Sequence, residues 1–191
     1  MPERVPRLNP NGVLIQHATN GDFVGRSMSR NEAERNGNSP VVCVLLFDGM
    51  GEKRKVLLQQ RASHKSRWSG QWEGSTVETA QMNSNDPWEP EHPSETGKRG
   101  LKEELSLEKV LFDDPYYYYK FVDNPGVSSI MTIYTAVYDE EIHGSVVPNP
   151  REIKQVEWVG GGQLLEMVEN NSREFAPGFS ELILTHPEIL R

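Results

Sequence analysis

Two adjacent glutamates, Glu103 and Glu104, are the residues of this sequence best suited to chemistry. They lie in segment 94–107, where leucines recur four residues apart, and this spacing predicts a helix. Adjacent carboxylates are hard oxygen ligands, which Mg²⁺ and Mn²⁺ prefer. Arg99 precedes Glu103 by four residues, so both side chains share one helix face and the guanidinium can orient the carboxylate. From these residues alone, a metal site and a solvated acidic helix face both remain open.

Ser94 is predicted to cap this helix, because serine side chains accept hydrogen bonds from the first free backbone amides. Gly97 and Gly100 would then lie inside the helix. A glycine in a helix interior costs about 1 kcal/mol relative to alanine. Two such glycines therefore predict that another part of the chain, or a ligand, approaches the helix closely.

The rest of the chain predicts one mixed α/β unit over residues 1–191, with no internal repeat. Residues 41–47 are continuously apolar, which predicts a strand buried on both faces, and residues 48–51 form a turn before a returning strand at 55–60. Further elements are predicted as strands at 13–16, 116–122, 129–138 and 153–159, and as helices at 29–36, 163–169 and 179–184.

Segment 78–97 differs from its surroundings, since it carries three prolines and no lysine or arginine. Proline at this density predicts a loop. The segment also contains Trp88, which would either pack onto the body of the protein or form part of a lid over a site.

Composition excludes several classes of function. Acidic residues outnumber basic ones by 28 to 20, the net charge is −8, and no basic run occurs, so neither nucleic acid nor an anionic membrane is an expected partner. Cys43 is the only cysteine, which excludes an intramolecular disulfide and fits a reducing compartment. No stretch approaches the roughly 20 apolar residues that a membrane span needs. We therefore expect a cytoplasmic protein.

Residues 99–107, Arg-Gly-Leu-Lys-Glu-Glu-Leu-Ser-Leu, resemble the tail of the Nudix box, Arg-Glu-apolar-x-Glu-Glu-x-Gly-apolar. Gly74 would be the opening glycine of the box, and segment 78–97 would then be an insertion within it. The stretch 57–72, with Leu-Leu-Gln-Gln-Arg and Trp-Ser-Gly-Gln-Trp, looks like the segment before the box in isopentenyl-diphosphate isomerases and related Nudix hydrolases.

The resemblance extends from about residue 13 to residue 184. It implies an α/β fold, the Nudix α/β/α sandwich around a mixed β-sheet, with residues 10–40 as an N-terminal strand and helix extension. It also implies a metal-dependent hydrolase that cleaves a small-molecule diphosphate. Nucleoside triphosphates, dinucleotides, nucleotide sugars and isoprenoid diphosphates all remain open as substrates. The oligomeric state is open as well, with a homodimer as one option.

The resemblance assigns roles to the acidic residues. Glu103 and Glu104 would hold Mg²⁺ or Mn²⁺, with Arg99 orienting their carboxylates. Glu78 and Glu95 are candidates for a further ligand. The metal would polarise a phosphoryl oxygen and lower the pKa of a water that attacks phosphorus.

The resemblance also assigns substrate contacts. Arg61 and Lys65 match positions that contact the diphosphate in the isomerase branch, where cationic side chains neutralise phosphate charge. Tyr119 lies near an active-site tyrosine of that branch. Alternate tyrosines in the run at 116–119 face opposite sides of a strand, so part of this run is expected to be structural.

Departures from the family pattern limit what the resemblance implies. Gly100 replaces the glutamate that normally follows the box arginine, which leaves the base unassigned. Val77 stands near the place of the isomerase cysteine and Thr79 at a metal-binding histidine, while Cys43 belongs to a predicted core strand. We therefore expect hydrolysis rather than isomerisation. The alternatives are an isopentenyl-diphosphate isomerase, a catalytically impaired ligand-binding domain, and a partner-binding protein that uses the Trp88 loop.

Overall fold

The computed structural model describes residues 4–6, 18–19, 22–23, 27–29, 39–49, 51–82, 91–112, 115, 117–122 and 128–191. Its N-terminal part contains four short strands: β1 Arg4–Pro6, β2 Ala18–Thr19, β3 Asp22–Phe23 and β4 Ser27–Ser29. β1 pairs antiparallel with β4, and β2 pairs antiparallel with β3. The predicted strand at 13–16, residues 30–36 of the predicted helix, and Trp88 lie outside the described residues.

A seven-stranded mixed sheet forms the centre of the molecule. Its main path has the order β11-β6-β5-β10-β9, with β7 beside β6 and β8 beside β5. β5 and β10 are parallel, and the other pairs of this sheet are antiparallel. The strands are β5 Ser39–Asp48, β6 Lys55–Arg61, β7 Trp72–Glu73, β8 Thr76–Thr79, β9 Tyr117–Val122, β10 Ser128–Tyr138 and β11 Ile153–Gly160.

Strands β5 and β6 diverge after a short contact, and this divergence makes room for the site. They pair directly only at Phe47–Val56 and Asp48–Lys55 among the described residues. Farther along, β8 pairs with residues 41–44 of β5, while β7 pairs with residues 59–60 of β6. β7 and β8 therefore occupy the gap that opens between β5 and β6.

The apolar run of β5 is buried on both faces, as its composition predicted, because successive side chains point to opposite sides. Cys43, Leu45 and Phe47 belong to one core cluster with the C-terminal helices. Val42, Val44 and Leu46 belong to the other cluster, on the opposite face.

Helices cover both faces of the sheet. α1 Pro93–Leu105 packs on one face through Leu101 and Leu105, and α3 Gly161–Glu169 and α4 Pro177–Thr185 pack on the other. A single turn, α2 Glu140–His143, follows β10, and 3-10 turns occupy Gly51–Lys53 and Pro187–Leu190. The predicted α/β/α sandwich around a mixed sheet is confirmed. No helix within the described ranges is long and apolar enough to cross a membrane.

The start of α1 and the extent of the proline-rich loop differ from the prediction. The N-cap of α1 is His92 rather than Ser94: the His92 Nδ1 accepts a hydrogen bond from the Ser94 amide, since Pro93, which has no N–H, fills the first helical position. The predicted loop 78–97 is shorter at both ends, because Glu78 and Thr79 continue β8 and residues 93–97 begin the helix. Pairing with β5 holds the first end in the sheet.

Candidate active site

A cavity of about 410 Å³ opens between α1, the end of β8, and the connections that follow β6 and precede β11. The structure brings six of the predicted site residues to its wall: Arg61, Lys65, Glu78, Arg99, Glu103 and Glu104. For Tyr119 only the backbone is described, within β9, paired with Met131 of β10. Glu95 pairs with Lys98 and is not among the lining residues.

Glu104 is the buried carboxylate of the cavity, with 4% of its surface exposed. Its Oε2 accepts hydrogen bonds from Thr76 Oγ1 at 2.5 Å and Gln59 Nε2 at 3.2 Å. Burial, and then the negative charge of Glu78, raise the pKa of Glu104 to about 8, against the opposing effect of the Thr76 hydrogen bond. A cation bound at this carboxylate would favour its charged form.

A buried polar chain, absent from the prediction, connects this carboxylate to Arg61. Gln59 Nε2 also donates to Glu73 Oε1, at 3.1 Å, and the same oxygen accepts from Arg61 Nη1 at 2.6 Å. Burial raises the pKa of Glu73, while the charge of Arg61 lowers it. The sequence contains only a weak signal, since Gln59 directly follows the apolar residues 56–58 and begins the polar end of β6.

Arg99 is the centre of the acidic side of the cavity. It contacts Glu78 at 2.9 Å, Glu91 at 3.1 Å and Glu103 at 3.5 Å, and its Nη2 donates to the carbonyl of Thr79 at 3.0 Å. The prediction included the contact with Glu103, whose side chain is 57% exposed, but missed Glu91. Glu91 lies in the proline-rich segment, eight residues before Arg99, which places it just outside the helix that carries the arginine. Arg99 therefore ties the helix to β8 and to the end of that segment.

The two helical glycines lie at close approaches, as predicted. A Cβ on Gly100 would be 2.5 Å from Thr76 Oγ1 and 2.6 Å from Glu78 Cγ. A Cβ on Gly97 would be 2.9 Å from a ring carbon of Phe112. Glu78 thus extends from β8 into the space that a side chain at position 100 would occupy.

Gly74, the predicted opening glycine, is also required by space. A Cβ there would lie 2.8 Å from Cys43 Sγ and 3.3 Å from the carbonyl oxygen of Val44. Cys43 is fully buried in the core as predicted, and burial raises the pKa of its thiol far above the usual range. This cysteine is a packing residue.

The connection before β11 closes the cavity and was not predicted to take part. Lys65 pairs with Glu152. The Asn149 amide donates to the carbonyl of Glu104 at 2.7 Å, and Asn149 Nδ2 donates to the carbonyl of Glu103 at 3.1 Å. Asn149 therefore caps the end of α1 at the two predicted metal ligands.

Comparison with protein families gives a match to the NUDIX domain model over residues 37–179. Among curated proteins, the isopentenyl-diphosphate Delta-isomerase of Haloarcula marismortui is 29% identical over 131 residues, covering 65% of this chain and 63% of that protein. The match therefore spans less than two thirds of the relative's own length.

Among solved structures, the DR0079 protein of Deinococcus radiodurans superimposes with a TM-score of 0.69 at 21% identity, covering 96% of this chain and 98% of that one. RenU, a Nudix hydrolase from M. smegmatis, gives a TM-score of 0.58 at 22% identity, covering 80% and 86% of the two chains. Both similarities concern the fold, and they agree with the predicted Nudix α/β/α sandwich.

Proposed function

Since the chain belongs to the NUDIX domain family, we propose that it is a Mg²⁺- or Mn²⁺-dependent hydrolase of a small-molecule diphosphate. One observation carries this proposal. Three carboxylates, Glu78, Glu103 and Glu104, line the same cavity as the cations Arg61, Lys65 and Arg99. Such a mixture suits a metal-held polyphosphate, because the acids attract the metal and the cations attract the phosphate oxygens.

The donor set fits a divalent cation. Two hydrogen bonds occupy Glu104 Oε2, but no donor within the described ranges reaches its Oε1. Among the described residues, no group of three or more His, Cys, Asp or Glu side chains is arranged to hold a metal by itself. Glu104, Glu103 and Glu78 would therefore supply only part of the metal's coordination, and substrate oxygens and water would supply the rest, as is common for Mg²⁺. When bound, it supplies Lewis acidity toward a phosphoryl oxygen and water.

The protein's own residues supply position and charge. Arg99 holds Glu78 and Glu103 beside each other from the helix side. Arg61 and Lys65 offer positive charge to the phosphoryl oxygens, on which negative charge develops during the reaction. Glu73 fixes the guanidinium of Arg61, so this cation is oriented before substrate arrives.

Isomerisation of isopentenyl diphosphate is the second candidate, favoured by the name of the Haloarcula relative. The residues of this chain argue against it. The isomerase acid would be replaced by Val77, which lines the cavity. Cys43, the sole cysteine, is buried with a raised pKa, so it is a poor proton donor to a ligand in the cavity.

A substrate screen tests the proposal. Nucleoside triphosphates, dinucleotides, nucleotide sugars and isopentenyl diphosphate are incubated with Mg²⁺ or Mn²⁺. Hydrolysis is measured as inorganic phosphate after pyrophosphatase or phosphatase treatment of the products, and isomerisation as dimethylallyl diphosphate. We expect hydrolysis that is lost in Glu104→Gln and kept in Glu166→Gln, a matched change on α3, on the other face of the sheet. Dimethylallyl diphosphate formation would establish the isomerase instead. Metal-dependent binding of a diphosphate without turnover would indicate a catalytically impaired domain that only binds its ligand.

A further inference from the structure

We propose that Arg151 binds the outer phosphate of the substrate and selects diphosphates with a free terminal phosphate; this rests on the proposed hydrolase function. Four cationic side chains of the described residues line the cavity. Arg61 is paired with Glu73, Lys65 with Glu152, and Arg99 with glutamates on β8, before α1 and within α1. No carboxylate of the described residues lies within ion-pair distance of Arg151. Arg151 can therefore meet an anion without first giving up a partner.

The backbone holds Arg151 at a fixed place relative to the carboxylates. Its amide donates to Asn149 Oδ1 at 3.1 Å. Through its own amide and its side-chain Nδ2, Asn149 is bonded to the carbonyls of Glu104 and Glu103. The cation and the two proposed metal ligands thus belong to one hydrogen-bonded unit, although 47 positions separate Arg151 from Glu104 in sequence.

The chemistry of guanidinium favours a terminal phosphate. Arginine presents paired N–H donors that match two oxygens of one phosphate group. The outer phosphate of a diphosphate monoester has three unesterified oxygens and carries more negative charge than either phosphate of an internal diphosphate. The other three cations are already partly neutralised by glutamates, so Arg151 attracts the extra charge of a terminal phosphate most strongly. It therefore favours terminal diphosphates over internal ones.

The test compares Arg151→Gln with Lys154→Gln. Both variants lose one positive charge, but Lys154 is exposed on β11 and does not line the cavity. Steady-state kinetics are measured with an isoprenyl diphosphate, as the terminal case, and with ADP-ribose, as the internal case. We expect Arg151→Gln to raise KM for the terminal diphosphate by about 10- to 100-fold with little change in kcat, which is typical of a lost charged hydrogen bond. KM for ADP-ribose should rise less than about threefold, and Lys154→Gln should match wild type.

Equal KM changes for the two substrates, or equal effects of the two variants, would overturn the proposal. If wild type hydrolyses neither compound, titration of inorganic pyrophosphate in the presence of Mg²⁺ becomes the test of Arg151, while the proposed function is decided separately by the full substrate screen. Weaker pyrophosphate binding by Arg151→Gln alone would then support the anion site. Identical binding by wild type and both variants would refute it.

Discussion

Replacing Gly100 with alanine places a methyl group where the structure has no room for one. The added carbon would lie 2.5 Å from Thr76 Oγ1 and 2.6 Å from Glu78 Cγ, whereas ordinary contacts begin near 3.4 Å. Either the side chains of Thr76 and Glu78, or the helix and strand themselves, must move by the better part of an ångström. Thr76 is also the 2.5 Å hydrogen-bond donor to Glu104, so this movement would disturb the proposed metal ligand.

The change in stability depends on the balance between helix propensity, which favours alanine, and steric crowding, which disfavours it. Alanine in a helix interior is favoured over glycine by about 1 kcal/mol. Overpacking of a filled site costs about 1–3 kcal/mol, and a buried acceptor that loses a hydrogen bond adds about 1 kcal/mol. We therefore expect Gly100→Ala to lower the free energy of unfolding by about 1–3 kcal/mol, although helix propensity alone would raise it.

Urea unfolding of the metal-free protein, followed by circular dichroism at neutral pH, measures this change. Gly162→Ala is the matched control, because a Cβ on this residue of α3 would meet nothing within 4 Å. The control should be as stable as wild type or more stable by up to about 1 kcal/mol. In a Glu78→Ala background, which removes one of the two obstructing groups, the cost of Gly100→Ala should fall by at least about 0.5 kcal/mol.

A Gly100→Ala protein as stable as wild type would refute this reasoning, provided that the control behaves as expected. It would mean that α1 does not pack against β8 at the described distance. The same outcome would remove the argument that Glu78 occupies the space beside position 100.

Three further predictions concern the polar residues around the cavity. In metal-free protein, the free energy of unfolding should fall by a few kcal/mol between about pH 4.5 and pH 8, because Glu104 loses its proton near pH 4.5 in the unfolded chain but only near pH 8 in the folded protein. Urea unfolding at pH 5 and pH 8 measures this difference, and Glu104→Gln should reduce it. Glu73→Gln should cost about 3–5 kcal/mol by leaving Arg61 buried without its partner, and the double change with Arg61→Met should recover part of this loss; no recovery would contradict the pairing. Asn149→Ala should lower the free energy of unfolding by about 1–2 kcal/mol and raise KM for the terminal diphosphate, as Arg151→Gln does. An unchanged KM would show that the cap does not position Arg151 for substrate binding.

The sequence predicted the parts of the fold that carry a long regular pattern. β5 has six consecutive buried apolar residues, and α1 repeats its leucines at helical spacing. β7 and β8 were not predicted, because strands of two and four residues are too short to show a period of two. Their position depends on where β5 and β6 diverge, which is a property of the sheet and not of the local residues.

In the candidate site, too, residues close together in sequence were predicted and residues far apart in sequence were missed. Glu103, Glu104 and Arg99 lie within six positions of one another, so local spacing was sufficient to group them. Glu73 and Gln59 were missed because Gln59 meets Glu73 across 14 positions and Glu104 across 45, and only the folded sheet brings the three together. Asn149 and Arg151 belong to an irregular connection, where the sequence has no periodicity to indicate which side chains face the cavity.

The cap that Asn149 forms on α1 has a consequence for how this scaffold can diverge. Residues 144–152 connect α2 to β11 on the outside of the molecule, where insertions and deletions are usually well tolerated. Here a change of length would shift the cap, and with it the end of the helix that carries both carboxylates. Substrate preference could therefore be altered by lengthening a surface connection while every residue of the acidic helix stays the same.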